Sequence, residues 1–432
     1  MNNKFCLVLV LLLWLPVWGV AQQQLTLAEC MQIGIENNLT FKIEQMRIAF
    51  AEKSKRSTAS RFLPRLAGGI NHNYDLGSAI DPATNNRITA NFQYDNFFVQ
   101  SEVNLFNFSE LRESKIQEKD YQLALANKEI VEQEYLLTLI TYYYEALASQ
   151  EWKKVIQQQI INSEEQVNRI KNEVLEGAKP VSDEYDIQVL YSNEKKLVEQ
   201  AVQDELNKKM ILLQWLNVSD GKADETLLLN NPEISLIALA DSITNDPRIH
   251  KEELAKLKLE EEYKQLLSAY LPNLRLSYSY NTFYSNAIDN IFRTSFQFGS
   301  QLKDNKNQFL GLGLSIPIYS RGDNLRNRTK KSIQILEQEQ LIKKTEIEVH
   351  NQFQNERRKL VQFQSLEPIL AESLAYSKRS LETTESKFEF GKVDISAYRL
   401  AKNQVLSSSY ELLTNGFSKE MTAEVIKVLY SE

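Results

Sequence analysis

The residues able to do chemistry are few and scattered. His72, His250 and His350 are the only histidines in 432 residues, and each stands alone. Cys6 and Cys30 are the only cysteines, and one mature cysteine builds neither a metal cluster nor an intrachain disulfide. Gly311-x-Gly313 begins like a dinucleotide loop but lacks the third glycine and the following helix. No nucleophile, base and orienting group form a recognisable set, so the chain is expected to be a non-enzyme with no cofactor, no metal and no catalytic residue. The informative small residues are Gly177 and Gly391. They stand in Glu176-Gly177-Ala178-Lys179-Pro180 and Phe390-Gly391-Lys392-Val393-Asp394, each after a very long helical pattern. A left-handed glycine just past a helix reverses the chain, and Ser182 and Ser396, five residues on, are candidates to cap the next helix.

Composition sets the compartment. The first 21 residues read as a secretory signal, with Lys4 as the basic region, Phe5 to Val20 as the apolar core and Gly19-Val20-Ala21 as the cleavage site. Pro16, Gly19 and the small residues favour cleavage over an uncleaved anchor helix. Without Lys4 the chain keeps 49 basic against 57 acidic residues, which argues against a nucleic-acid partner. Cys30 lies nine residues past the cut, so it is not a lipidated amino terminus.

The elements positioning the two glycines come in duplicate. Ile35, Asn37, Glu44, Glu52, Ser60, Leu63, Pro64, Leu66 and Asn73 recur, 208 positions later, as Ile243, Asn245, Glu252, Glu260, Ser268, Leu271, Pro272, Leu274 and Asn281. In each copy a helix is followed by a hairpin. The first helix opens on a Thr26–Glu29 capping box, and helical sequence runs to Leu63, where Pro64 ends it. In the second hairpin Leu274, Leu276, Tyr278 and Tyr280 alternate with Arg275, Ser277, Ser279 and Asn281, and Leu310 to Ile318 alternate on the return. In the first, Val99, Ser101, Val103 and Leu105 oppose Gln100, Glu102 and Asn104. Polar loops are expected near 75–90 and 282–307.

Long helices follow, about 109–176 and 323–390, with apolar residues at sevens: Ile116, Leu123, Ile130, Leu137 and Tyr144, then Ile156 and Ile170 flanking Ser163. Tyr142-Tyr143-Tyr144 reads as helix packing. The tip glycines are 214 apart, so the second copy carries six extra residues, expected in its hairpin loop. The organisation is 1–21 signal; 22–63 helices; 64–108 hairpin; 109–216 long helix, tip and return helix; 217–240 insertion; 241–270 helix; 271–319 hairpin; 320–432 long helix, tip, return helix and C-terminal segment. The insertion is marked by Asn217, Ser219-Asp220-Gly221 and Asn230-Asn231-Pro232.

Four strands with one apolar face need an apolar partner, and no mature segment has 18 consecutive apolar residues. Strands in lipid must close into an edgeless barrel, and the smallest take about eight strands. One chain supplies four, so closure needs several copies; three give an even-numbered barrel of twelve. The fold class is thus an α+β membrane protein with long α-helical coiled coils and a transmembrane β-barrel, four strands per chain, built from two internal repeats; closure of the helices into a coiled-coil barrel is what the family resemblance below implies.

Leu25-Thr26-Leu27-Ala28-Glu29, Asn37-Asn38, Phe62-Leu63-Pro64-Arg65-Leu66, Tyr270-Leu271-Pro272-Asn273-Leu274, Leu314-Ser315-Ile316-Pro317-Ile318 and the two tips, in this order, make the chain similar to the TolC-type outer membrane efflux family over nearly its whole mature length. The resemblance implies a homotrimer in outer membrane lipid of a Gram-negative bacterium. It also implies a helical tunnel reaching through the periplasm to an adaptor (membrane fusion) protein and an inner-membrane pump, in a tripartite efflux or type I secretion system. It assigns tunnel closure and adaptor contact to Gly177, Ala178, Lys179, Pro180 and Asp183 and to Gly391, Lys392, Val393 and Asp394. Phe388 and Val393 stand where the best-known members carry tyrosine and arginine, and Ala397 and Leu400 where some carry aspartates. Gln100, Glu102, Asn104 and Arg275 are expected to face a water-filled lumen. Phe92, Phe97, Phe98, Phe106, Phe108 and Tyr319 are candidates for interfacial girdles or ordinary sheet packing. The competing reading is a soluble periplasmic coiled-coil adaptor or scaffold.

Overall fold

The computed structural model describes residues 23–55, 58–80, 85–89, 91–218, 220–230, 246–288 and 297–430. The expected signal sequence, Ser219, Asn231-Pro232 and parts of both hairpin loops lie outside them. The chain divides into two units, one comprising residues up to 45, 127–249 and 345–432, the other 46–126 and 250–344.

In the first unit, strand β1 (Gln23–Leu25) leads into helix α1 (Leu27–Asn37). The capping box is formed: Glu29 N–H donates to Thr26 Oγ1 at 3.3 Å, and Thr26 N–H donates to Glu29 Oε2 at 2.8 Å. The helical stretch expected over 22–63 is divided into separate helices. Asn38 is extended (ψ 124°) and its Oδ1 accepts from Thr40 N–H at 2.7 Å, so α2 (Leu39–Ser54) starts afresh, followed by a short α3 (Thr58–Arg61). An asparagine side chain competes for backbone amides, and here it wins over the helical period.

Helix α4 (Phe108–Leu175) and its return helix α5 (Val181–Trp215) carry the core of this unit. Tyr143, Leu139, Ile140, Leu147, Leu212 and Leu213 are almost fully buried against Leu25, Cys30 and Phe41. Gly34 is required by close approach, since a Cβ there would sit 2.4 Å from Tyr135 Oη. Burial pushes the Cys30 thiol up to about 12, assisted by the nearby Glu29 charge, leaving it neutral.

After α5 a 3₁₀ turn (Asp220–Glu225) leads to a short strand, Thr226–Leu228, which pairs in parallel with β1. Side chains from the long helices complete its hydrogen bonding. Gln150 Nε2 donates to Leu228 O at 2.9 Å while Gln150 Oε1 accepts from Leu228 N–H at 3.0 Å. Tyr143 Oη donates to Leu229 O at 2.6 Å, and Lys209 Nζ to Thr226 O at 2.6 Å. Backbone groups of a short buried strand need such partners, because an unpaired one costs about 1–3 kcal/mol.

The second unit is built on an antiparallel sheet. Strands β2 (Arg65–Asp75) and β5 (Phe92–Phe106) form one hairpin, with a small ladder of β3 (Ser78–Ile80) and β4 (Arg87–Thr89) between them. The Thr226–Leu228 strand is β6. Helix α6 (Pro247–Ser268) leads to the second hairpin, β7 (Asn273–Ala287) and β8 (Asn307–Ser315), with α7 (Phe298–Asp304) between them. Strand β7 continues past the expected loop boundary at 282.

The order β2-β5-β7-β8 joins the two hairpins edge to edge into one four-stranded sheet. Its register puts Leu66, Ser101, Tyr278 and Leu310 on one rung, and Val103, Leu276 and Leu312 on another of the same face. A bulge between Asn104 and Phe106 shifts the ladder by one residue at the helix-proximal end. On the opposite face rings cover glycines: a Cβ on Gly69 would meet the Phe98 ring at 2.7 Å, and one on Gly311 the Phe309 ring at 2.6 Å. Gly311 thus serves the sheet. Among the aromatics, Phe92 is buried, Phe106 packs edge-on to Phe108 at 4.3 Å, and Tyr319 is 82 % exposed.

The second long helix, α8 (Asp323–Glu389), contains Pro368, and α9 (Ile395–Tyr430) returns from it. Proline removes the amide that would reach the Gln364 carbonyl. One residue earlier, the Phe363 carbonyl accepts from Asn415 Nδ2 at 3.0 Å, and Lys419 Nζ holds Glu367 at 2.7 Å. Contacts from α9 therefore brace the proline turn.

Candidate functional site: the two helical tips

Both long helices end in the same turn. Ala178 N–H bonds to Glu173 O at 2.8 Å and Gly177 N–H to Val174 O at 3.0 Å; Lys392 N–H bonds to Lys387 O at 2.8 Å and Gly391 N–H to Phe388 O at 3.1 Å. These are paired Schellman bonds closed by a left-handed glycine, with φ 71° at Gly177 and 66° at Gly391. Space is not the constraint, since an added Cβ at either glycine would meet nothing within 4 Å. The backbone angle alone selects glycine.

The return helices start two residues earlier than the serines suggest. Pro180 occupies the cap position of α5 and makes no side-chain cap bond, whereas Asp394 Oδ1 accepts from Ala397 N–H at 2.9 Å at the head of α9. Ser182 and Ser396 fall inside the first turn instead. The first return helix thus begins without a side-chain cap and the second with a carboxylate one.

Beneath the turns Ile170, Ile187, Leu190, Phe388 and Tyr398 form a closed apolar cluster, with Val167, Val174, Val393 and Ile395 packed on it. Phe388 and Tyr398 stack at 5.3 Å with an 11° angle. Burial pushes the Tyr398 phenol well above its ordinary pKa, helped by Glu385 and Glu194, so it stays neutral. The four helix ends are thus one packed body.

Lys179, which the sequence places at the tip surface, is turned inward. Its side chain is 9 % exposed; Nζ lies 4.1 Å from the Phe388 ring centre, 3.4 Å from the Phe388 carbonyl and 3.3 Å from Glu173 Oε2. It ties the first tip to the end of α8. Arg169 makes a second tie by pairing with Glu389, and Gln166 Nε2 a third by donating to Glu385 Oε1 at 2.6 Å. Asp183 stays near the surface, its Oδ1 accepting from Ser182 Oγ at 3.4 Å. Lys392 points outward, its Nζ 5.9 Å from the Phe390 ring. Phe390 and Leu400 on one tip, and Val181, Tyr185 and Val189 along one stripe of the other, are apolar and exposed.

The same helices hold a buried polar group that the seven-residue period hides. Lys402 Nζ lies 2.7 Å from Glu194 Oε1 and donates to Ser163 Oγ at 2.5 Å, while Ser163 Oγ also donates to Glu194 Oε2. The lysine and glutamate side chains are 4 % and 6 % exposed. The only sequence signal is Ser163 itself, a polar residue between Ile156 and Ile170 in an apolar seven-residue series.

In the sheet, Gln100, Glu102, Asn104 and Arg275 fall on one face. Glu102 stands opposite Ser277, Gln100 opposite Ser279 and Asn104 opposite Arg275. Arg275 Nε bridges diagonally to Glu102 Oε1 at 3.0 Å, and Asn104 Nδ2 donates to Glu110 Oε1 at 2.8 Å. The face carrying Leu274, Leu276, Tyr278 and Leu312 is the other one.

Known proteins share this plan. The family model described as outer membrane efflux protein matches residues 31–216 and 238–416. No curated protein matches the chain by sequence. Among solved structures, CusC superposes with a TM-score of 0.77 at 12 % identity, covering 94 % of this chain and 92 % of that one. VceC from Vibrio cholerae gives 0.74 at 10 % identity, with 93 % and 94 % covered. The Campylobacter jejuni CmeC outer membrane channel gives 0.74 at 14 % identity, with 93 % and 85 % covered. At these identities the superpositions establish a shared fold.

Proposed function

The chain belongs to the outer membrane efflux protein family, and from that premise we propose that three copies form a passive outer membrane conduit. It is fed through the periplasm by an adaptor and an inner-membrane pump, in tripartite efflux or type I secretion. The observation that carries this reading is the sheet. Among the described residues, β2 pairs only with β5 and β8 only with β7, so both edges of the four-stranded sheet are open. Leu66, Ile70, Leu310, Leu312 and Leu314 are exposed on its apolar face. Open edges and an apolar face are both satisfied when β2 of one copy pairs with β8 of the next and the closed barrel stands in lipid. Gln100, Glu102, Asn104 and Arg275 then line the water-filled side. A soluble adaptor or scaffold would leave the same edges and face uncovered.

Transport of this kind makes and breaks no bonds, so the chain's own work is to hold a path open or shut. The tips suit that role, because two Schellman turns per copy, tied together by Lys179 and Arg169, bring six turns to one end of the assembly. In this reading Ala178, Pro180, Asp183, Lys392 and Asp394 meet the adaptor. Purified mature protein is expected to require detergent, to sediment as a trimer and to conduct ions in a planar bilayer. A detergent-independent monomer without conductance would overturn the proposal. Gly177→Trp and Gly391→Trp are expected to abolish export with trimers retained; unimpaired export would remove the tips from the mechanism.

A further inference from the structure

Duplication creates a pairing problem. The helix pair α4–α5 and the helix pair α8–α9 share one backbone plan, so a seam that accepts one could accept the other. At the 214-residue spacing of the tips, Ser163 corresponds to Ser377, Glu194 to Ser408 and Lys402 to Gln188. Only one of the two equivalent places is ionic. Ser163, Glu194 and Lys402 form the buried charged group described above, whereas Ser377 Oγ and Ser408 Oγ meet at 3.1 Å as a neutral pair. Gln188 lies at the surface, donating to Glu184 Oε1 at 3.1 Å.

We propose that Ser163, Glu194 and Lys402 form a pairing key that makes the two repeats non-interchangeable, so that an α4–α5 pair is always set beside an α8–α9 pair. Stability does not explain the group, because a buried ion pair is commonly matched or exceeded by apolar residues of the same volume. Specificity does. Two α8–α9 pairs placed side by side would bury Lys402 against Ser377 and Ser408 with no carboxylate. Two α4–α5 pairs would bury Glu194 with no cation. Both mistakes strand a charge in a seam where Lys402 and Glu194 are almost fully enclosed. Polar residues in apolar helical seams fix partner choice in this way at a cost in stability.

The test reads pairing directly and does not depend on the channel reading. In a Cys30→Ala background, Gln166→Cys and Glu385→Cys report the native neighbourhood, because those side chains touch at 2.6 Å; a short bis-maleimide is the probe. With the key intact, cross-linking is expected to be near complete. Replacing all three members (Ser163→Ala, Glu194→Leu, Lys402→Met) is expected to keep the melting temperature while cross-linking falls at least twofold and the oligomers become heterogeneous. Full cross-linking in that variant would overturn the proposal. Lys402→Met alone, which leaves Glu194 enclosed and unpaired, is expected to lower the melting temperature by roughly 10 °C. An unchanged temperature in that variant would also overturn it.

Discussion

The two tips share a backbone and little else. Each ends in the same pair of hydrogen bonds around a glycine with φ near +70°. Around that shared turn the side chains have parted: Lys179 of the first tip corresponds to Val393 of the second, Pro180 to Asp394, and Asp183 to Ala397. The first tip sends a cation inward onto Phe388; the second sends a valine into the apolar cluster and leaves Lys392 outside. Chain reversal is a backbone demand that both copies must meet. The neighbours of each tip differ, and the side chains follow the neighbours.

The sharpest way to separate the two copies is at their seams. Glu194→Ala strands Lys402 and is expected to cost about 3–5 kcal/mol, whereas Ser408→Ala, at the equivalent place, should cost about 1 kcal/mol or less. Chemical denaturation of the detergent-solubilised protein measures both, and equal costs would erase the distinction. Next come the glycines, where the copies should behave alike. Gly177→Ala and Gly391→Ala are each expected to cost about 1–2 kcal/mol from the left-handed angle alone, and unequal melting shifts would show that something other than φ matters at one tip.

Smaller differences lie at the helix starts and the inward lysine. Asp394→Ala removes a cap bond worth about 1 kcal/mol, while Pro180 has no such bond to lose. Hydrogen exchange in the first turn of α9 should rise selectively. Lys179→Met is expected to cost about 0.5–1 kcal/mol through the lost ring contact and ion pair. Its readout is mobility of a spin label at the first tip, with the second tip unchanged; no change at either would show that Arg169 and Gln166 suffice.

What the sequence makes legible follows the range of the interaction. Gly177 and Gly391, the Thr26–Glu29 box and the alternation through Leu274 to Tyr280 are visible because they need only a few neighbouring residues. The place where α1 gives way to α2 is less legible, because the Asn38 side-chain oxygen acts within a helical period that continues on both sides of it. Ser182 and Ser396 are misread as caps because the helices begin two residues earlier, after Pro180 and at the Asp394 carboxylate. The joining of β5 to β7, the inward turn of Lys179 and the meeting of Lys402 with Ser163 depend on residues up to 239 positions apart. No local period carries that information, although a serine in the Ile156–Ile170 series marks where to look.

The parallel pairing of Gln23–Leu25 with Thr226–Leu228 sets a condition on folding. Strand β1 has no ladder partner until chain roughly two hundred residues further on has folded back to it. Tyr143 and Gln150 also bond Leu229 and Leu228, so the whole of α4 and α5 lies between the two strands that this ladder fastens together. A ladder closed over so long a loop is expected to form late in folding, with the backbone of Gln23–Leu25 unpaired until it does.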